Sequence, residues 1–262
     1  MGMKTIAGIQ FLALIALSLG AAQAAQCTAK STEKTVALVE LYTSEGCDSC
    51  PPADRWLSSL GARGFAPDRV VPIALHVDYW DYIGWKDPYA KQAFSARQRK
   101  MASLARAAVV YTPQVLLQGR DFRGWGSASF DAAVSNINAR PAKARISLSL
   151  DAGRKEMLLV EARAELLEAS PGTDMALYLG AYENKLLSDV TAGENRGKSL
   201  PHDYVVLQWV GPLEFKGGTL VERHLLPLLP KAVPGHSGVV AFVQNRATSE
   251  VLQALMLPAC PS

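Results

Sequence analysis

Apolar residues follow two different patterns along this chain, and the change comes near its middle. In the first half, Val36–Leu41 and Val70–Val77 are unbroken apolar runs bounded by turn residues, as strands buried on both faces are. Between them, Pro51 and Pro52 open a helical pattern that continues through Trp56, Leu57 and Leu60. Proline is tolerated in a first turn because its missing N–H would be unpaired there anyway, and Gly61 or Gly64 supplies a C-cap. The N-cap is expected at Asp48 or Ser49, with Asp54 near the positive end of the helix. Strand, helix and strand in succession predict a right-handed βαβ unit. Ala90–Ala108 is helical in composition, and its Arg97, Arg99 and Arg106 are expected on a solvated face. Val109–Gly119 holds a third apolar strand, preceded by Tyr111-Thr112-Pro113, where a proline can take the cis form at a turn. Ser129–Arg140 predicts a closing helix, and Pro141 marks a boundary.

Beyond Pro141 the pattern shortens. Ile146–Leu150 alternates, as a half-buried strand does, and further short runs follow at Met157–Ala164, Met175–Tyr182, Tyr204–Val210, Gly238–Gln244 and Val251–Leu257. Glu161–Glu168 also fits a helix. Pro171-Gly172, Gly211-Pro212, Gly217-Gly218 and Pro234-Gly235 punctuate these runs, which points to a β-sandwich. The expected fold class is therefore α/β. Residues 26–141 would form a domain with a central mixed sheet flanked by helices, carrying an aromatic-rich insertion at 78–99. Residues 142–262 would form a mainly β, sandwich-like domain. Residues 26–35 are polar and predict an N-terminal extension.

The N-terminus changes the compartment. Lys4, the apolar stretch Ile6–Leu19 and the small residues around Ala22-Gln23-Ala24 have the form of a cleaved secretory signal over residues 1–25. The apolar stretch falls short of the roughly 20 residues that span a bilayer. Gln26 before Cys27 fits a lipoprotein site poorly. A periplasmic or secreted location follows, with no membrane anchor after cleavage, and with it an oxidising environment. The 262 residues are 49% hydrophobic and 19% charged, enough for a sizeable core, and a net charge of +3 gives no reason to expect a nucleic-acid partner.

Four cysteines remain to be placed. Cys47 and Cys50 form a Cys-x-x-Cys pair between a buried strand and a helix start, the spacing of a thioredoxin-like redox motif. A helix N-terminus stabilises a thiolate, and a thiolate attacks disulfides. Cys47, just before the helix, is expected to be the exposed attacking sulfur, and Cys50, one turn in, the covered resolving one. Of the three possible pairings, Cys47–Cys50 with Cys27–Cys260 is the economical one, since chain ends often lie close together. No second Cys-x-x-Cys is present for a zinc site. The segment Asp78–Tyr89 places five aromatic residues after a strand's carboxyl end, where open α/β sheets build binding crevices. Tyr79, Trp80 and Trp85 are read as a substrate-binding wall or as a mini-core under an inserted loop.

Several blocks together resemble one family. They are Val39–Ser44, Gly46–Asp54, His76–Asp81, Gly84–Asp87, Arg97-Gln98, Tyr111–Gln114, Gly193–Gly197, His202 and Val239–Gln244. In these the chain resembles the DUF1223 family of secreted proteins with a thioredoxin-like fold, whose function is not established. The resemblance implies that Cys47 is the nucleophile and Cys50 the resolving cysteine. It further implies that Pro113, with Thr112 before it, is a cis-proline facing the pair, and that Glu40 is a buried acid moving a proton to or from the resolving thiol. The chain departs from common thioredoxins by one extra residue between that acid and Cys47, by two prolines after Cys50, and by the aromatic insertion.

The leading expectation is an exported thiol–disulfide oxidoreductase acting on protein or peptide thiols and disulfides, with a redox partner protein and no cofactor or metal. One alternative is a copper(I) carrier, since soft thiolates select that ion; a third ligand would come from His76, His202, His224 or His236. Another is a non-catalytic interaction protein. Asn195 and His202 lie in a glycine-rich loop able to meet the redox face, with no assigned mechanism; Asp48 and Glu45 near the thiols disfavour a thiolate, whereas Arg55 and the helix end favour one.

Overall fold

The computed structural model describes residues 1–2, 26–154, 156–167, 174–230 and 232–260. The expected signal segment lies outside the described residues from position 3 to position 25. The protein is mixed α/β, with mostly sheet and few helices. The first half runs β1 (Gln26–Lys30), β2 (Ala37–Thr43), α1 (Pro51–Ser59), β3 (Val70–His76), α2 (Gln92–Leu104), β4 (Gln114–Leu117), β5 (Arg120–Asp121) and α3 (Ala128–Asn138). The second half runs β6 (Ala144–Arg154), β7 (Met157–Leu166), β8 (Met175–Glu183), β9 (Leu186–Asp189), β10 (Ser199–His202), β11 (Val205–Glu214), β12 (Thr219–Pro227), β13 (Ser237–Asn245) and β14 (Val251–Pro258). The stretch Glu161–Leu166, which also fitted a helix, is strand.

Strands from both sides of Pro141 share one eight-stranded sheet in the order β14-β13-β8-β11-β3-β2-β4-β5. β2 and β3 pair in parallel, as the intervening helix requires, and β4 returns antiparallel to β2. β11 joins β3 in parallel, with Val205 opposite Ala74. A second sheet, β1-β6-β7-β12, includes the segment Gln26–Lys30 that was expected to be an extension. The polarity that suggested an extension is an edge-strand property, since β1 pairs only with β6.

Alternation decides what covers each face. Val39 and Leu41 of β2 pack with Ala53, Trp56 and Leu57 of α1 and with Phe130 and Val134 of α3. On the opposite face Leu38 and Tyr42 pack with Phe94 and Met101 of α2, and with Tyr178 and Phe242 from the second half. Farther along, Leu177, Leu179, Val239 and Ala241 pack against Ile146, Leu148, Val160 and Ala162 of the second sheet. Cys27 and Cys260 are joined and tie β1 to the end of the described chain.

Arg97 departs from its expected solvated face. It is buried in α2, where its Nε and Nη2 donate to the two carboxylate oxygens of Glu40 at 2.6 and 3.1 Å. Nη2 also donates to Gln244 Oε1 of β13 at 3.0 Å. The guanidinium carbon sits 5.0–5.3 Å from the ring centres of Tyr178, Trp209 and Phe242. Burial works against this charge, but the Glu40 carboxylate outweighs burial and keeps the guanidinium protonated. One bidentate pair therefore couples α2 to strands from both halves. Removing one partner leaves a buried charge alone, which costs about 3–5 kcal/mol. Glu40→Ala should lower unfolding stability by that amount in a denaturant titration; a loss below about 1 kcal/mol would mean the pair contributes little.

Candidate functional site

The Cys47–Cys50 disulfide sits between the end of β2 and the start of α1. Cys50 itself is the N-cap, with Pro51 and Pro52 in the first two helical positions, so the helix starts one to two residues later than expected. Asp54 does lie in the first turn. The turn is closed by Cys47 N–H donating to Ser44 O at 3.2 Å and Cys50 N–H to Cys47 O at 3.3 Å.

The expectation of an exposed Cys47 is corrected: Cys47 is 1% and Cys50 0% accessible. The cover comes from a distant part of the chain. Asn195, itself buried, donates from Nδ2 to Glu45 O and to Cys47 O, both at 2.8 Å. Glu194 Oε2 accepts from Asp48 N–H at 3.0 Å, and Lys198 Nζ donates to Asn195 Oδ1 at 2.8 Å. The loop turns at Gly193, whose φ of +72° suits glycine, and it rests on Ile83 and Trp85. This cap lies between β9 and β10, an antiparallel pair held off the main sheet.

The aromatic segment forms the second wall. Trp80 packs on Gly46, where an added Cβ would stand 3.1 Å from Trp80 Cβ, and its Nε1 donates to Thr112 Oγ1 at 2.7 Å. Trp85 Nε1 donates to Glu45 Oε2 at 2.7 Å, and Tyr79 OH to Gln98 Oε1 at 3.1 Å. Each of these half-buried side chains thus spends its polar atom inside the protein. Tyr82 is the exposed member. The Thr112–Pro113 bond is cis. Pro113, Val109, Tyr111, Arg123 and Trp125 line an open groove of about 310 Å³. Trp125 packs on Trp56 of α1 at 5.2 Å, which sets the groove beside the helix that carries Cys50. A larger cavity, about 980 Å³ between β4, α3 and the start of β14, contains none of these residues.

Glu40 is not beneath the cysteine pair. In the alternation of β2 it shares the α2 face with Leu38 and Tyr42, whereas α1 packs on the Val39 and Leu41 face. A different group of titratable side chains lies on the α1 side. His76 Nδ1 is 2.7 Å from Asp87 Oδ2, which also accepts from Glu45 N–H at 2.9 Å. His202 Nε2 is 3.1 Å from Glu45 Oε1. The two imidazoles meet edge to face at 5.0 Å. Asp54 Oδ2 accepts from Thr43 Oγ1 at 3.1 Å. All five titratable groups are buried.

Burial pushes the Asp54 carboxyl above its ordinary value, and the charges of His202 and His76 pull only part of that back. Burial opposes the charged form of His76, but the Asp87 carboxylate overrides it and raises the imidazole. Burial likewise opposes ionisation of Asp87, yet His76 and two backbone N–H groups hold it below the carboxylate range. The sequence alone offers His76 and His202 as metal-ligand candidates, sets Glu45 close to the thiols as a charge opposing a thiolate, and puts Asn195 and His202 in a glycine-rich loop able to meet the redox face but without a mechanism; it gives Asp87 no role in the site. One signal was present: His76 is a titratable residue ending an otherwise apolar strand. Among the described residues no group of three or more His, Cys, Asp or Glu side chains is placed to hold a metal ion.

The family profile of a protein of unknown function, DUF1223, matches residues 38–244. The chain belongs to the DUF1223 family. No curated protein matches it. Among solved structures it is similar to protein AGR_C_4864 from Agrobacterium tumefaciens, at 24% identity and a TM-score of 0.61, over 88% of this chain and 98% of that one. It is also similar to HBP35 of Porphyromonas gingivalis, at 13% identity and a TM-score of 0.64, over 87% of this chain and 76% of that one. At these identities the likeness concerns the fold. Within this DUF1223 chain the most distinctive local feature is a covered disulfide above a buried histidine–carboxylate cluster.

Two outcomes follow from this geometry. Asn195→Ala removes two of the hydrogen bonds that hold the cap to the cysteine loop and leaves the Glu194–Asp48 bond in place; a typical bond contributes about 1 kcal/mol. Together the two bonds amount to about 2 kcal/mol, so reduction of Cys47–Cys50 by a small dithiol should speed up by about thirtyfold, read by alkylation of the freed thiols; an unchanged rate would show that the cap does not control access. The His76–Asp87 pair makes stability depend on pH in both directions. The raised imidazole contributes fully below its ordinary value of 6.5 and loses that contribution as pH climbs through its folded value. The lowered carboxyl contributes above 3.8 and loses it as pH falls through its folded value. The thermal unfolding temperature should fall on both sides of that window, and the double variant His76→Gln/Asp87→Asn should flatten the dependence.

Proposed function

We propose that this protein is an exported thiol–disulfide oxidoreductase-like member of DUF1223, acting through Cys47 and Cys50 on protein or peptide thiols once the Asn195 cap lifts. The observation that carries the proposal is a Cys-x-x-Cys disulfide at the N-terminus of α1, with a cis-Pro113 loop joined to the same turn through Trp80. The strand order β3-β2-β4-β5, with β2 and β3 parallel, β4 and β5 antiparallel and α1 following β2, supports a thioredoxin-like core. The groove beside Pro113 has the apolar and aromatic lining that suits a side chain of an extended peptide.

In this reading a partner thiolate attacks Cys47 Sγ, the Cys47–Cys50 bond breaks, and its electron pair leaves on Cys50 Sγ. A second partner thiol then releases Cys47, and the partner leaves oxidised. The reverse sequence reduces a partner disulfide. The direction follows the potential of the pair relative to its surroundings. Export to a periplasmic or extracellular space is part of the proposal and is supported by the N-terminal pattern. Among the described residues, no helix is long and apolar enough to cross a membrane.

A second reading, a structural disulfide in a non-catalytic interaction protein, is favoured by the burial of both sulfurs. One experiment separates the two. The reduction potential of Cys47–Cys50 is measured, and Cys50→Ala is mixed with a defined cystine-containing peptide. A potential above about −300 mV with a dithiol-releasable adduct at Cys47 supports exchange chemistry. A lower potential without an adduct supports the structural bond. The copper alternative predicts tight, stoichiometric binding of copper(I) by the reduced protein.

A further inference from the structure

Two buried imidazole nitrogens, His76 Nε2 and His202 Nδ1, have no hydrogen-bond partner. Buried polar atoms are nearly always paired, so two orphans on rings that touch each other call for a cause. His76 lies on β3 directly opposite Thr43 of β2, and Thr43 holds the Asp54 carboxylate. Asp54 is one helical turn beyond Cys50 and donates its backbone N–H to Cys50 O at 3.2 Å; residues four apart share a helix face. The charges of His202 and His76 are felt at the Asp54 carboxyl, which Thr43 holds on the same face of the sheet as His76. The other groups of the cluster are already committed. Glu45 is bonded to Trp85 and His202, and Asp87 to His76, Glu45 N–H and Tyr89 N–H. Tyr89 closes the cluster, its ring 5.3 Å from His76 and 5.8 Å from His202, with its hydroxyl accepting from Ser188 Oγ at 3.3 Å.

We propose that Asp54 and His76 form a buried proton-exchange site for Cys50, with Asp54 the group one helical turn from the thiol, the free His76 nitrogen its proton store, and the His202 ring packed against His76 as its wall. The inference rests on the exchange chemistry proposed above and supplies its missing proton. When a partner thiolate opens the Cys47–Cys50 bond, the electron pair leaves on Cys50 Sγ, the more deeply buried of the two sulfurs. A proton passes from the Asp54 carboxyl to that sulfur, giving a neutral thiol, and protonated His76 restores the Asp54 proton. In the closing direction the Cys50 proton moves to the Asp54 carboxylate as Cys50 Sγ bonds to Cys47 Sγ and the partner thiolate is expelled. The partner supplies or removes the electrons; no other oxidant or reductant takes part. A carboxyl raised by burial keeps its protonated form available nearer neutral pH, as proton transfer to a buried thiolate requires. Glu40 cannot take this role, because its carboxylate is bound by Arg97 on the other face of the sheet.

The test is the rate at which dithiothreitol reduces Cys47–Cys50 in the full chain, from about pH 5 to about pH 9, divided by the dithiothreitol thiolate concentration. The wild-type quotient should fall roughly tenfold with rising pH as the store empties. Asp54→Asn should give a low and flat quotient, while far-ultraviolet circular dichroism shows the fold retained. A group that only packs the site would shift the whole curve without removing its bend. An Asp54→Asn profile that keeps the wild-type bend overturns the proposal, as does a flat wild-type profile. If Asp54→Asn does not fold, His76→Gln decides instead: it keeps a donor for Asp87 but cannot titrate, so loss of the bend supports the proposal and retention overturns it. The readout uses a small reductant, so it is independent of peptide adduct formation by Cys50→Ala. A bend without adducts removes the protein-partner reading alone, and adducts without a bend remove the proton store alone.

Discussion

Everything at the cysteine turn depends on where β11 enters the sheet. Its first residue, Val205, pairs with Ala74 near the carboxyl end of β3, and Ala74 N–H donates to Tyr204 O at 2.8 Å. Parallel pairing at that point brings the chain just before β11 alongside the ends of β2 and β3. That preceding chain is the β9–β10 pair, which carries His202 and the Asn195 cap. A parallel neighbour starting several residues earlier on β3 would carry the same residues away from the turn. One ladder contact between the two halves thus sets both the cover over Cys47 and the composition of the cluster below it.

The two faces of the sheet handle buried charge in different ways. On the α2 face a single bidentate ion pair, Glu40–Arg97, is further hydrogen-bonded to Gln244 and Tyr42 and roofed by aromatic rings. Its charges have nowhere to move, which suits a structural tie. On the α1 face three carboxylates and two imidazoles share too few partners, and two nitrogens remain unpaired. An incompletely satisfied polar network is costly to fold around. Groups with accessible alternative protonation states beside a disulfide are also what exchange chemistry needs.

Much of the secondary structure was legible in the chain. β2 and β3 announced themselves as apolar runs, α1 by its paired prolines, and β8, β13 and β14 by short strands between turn signals. The Cys-x-x-Cys pair, its partner bond Cys27–Cys260 and the proline at the turn before β4 were also readable, since each depends on residue type and spacing. The misplacements have a common origin. Arg97 looks solvent-facing because a helix's polar stripe normally is; its partner lies 57 positions earlier in sequence. Glu40 looks like an acid beneath the cysteines until the alternation of β2 is tied to a particular helix on each face. β1 looks like an extension because an edge strand needs little apolar character.

Sequence by itself determined the local chemistry of this protein: where strands and helices form, which cysteines bond, and which turn holds a proline next to a strand. Those outcomes follow from propensity, periodicity and short spacings, which act within a few residues. Only the tertiary structure decided that Cys47 is covered, that Asn195 covers it, and that Asp54, His76 and His202 are buried on one side of the sheet, with the two imidazoles in contact. These residues are separated by 22 and 126 positions along the chain. Their placement depends on sheet order and on the register of β11 against β3, and no local pattern encodes a register between strands so far apart.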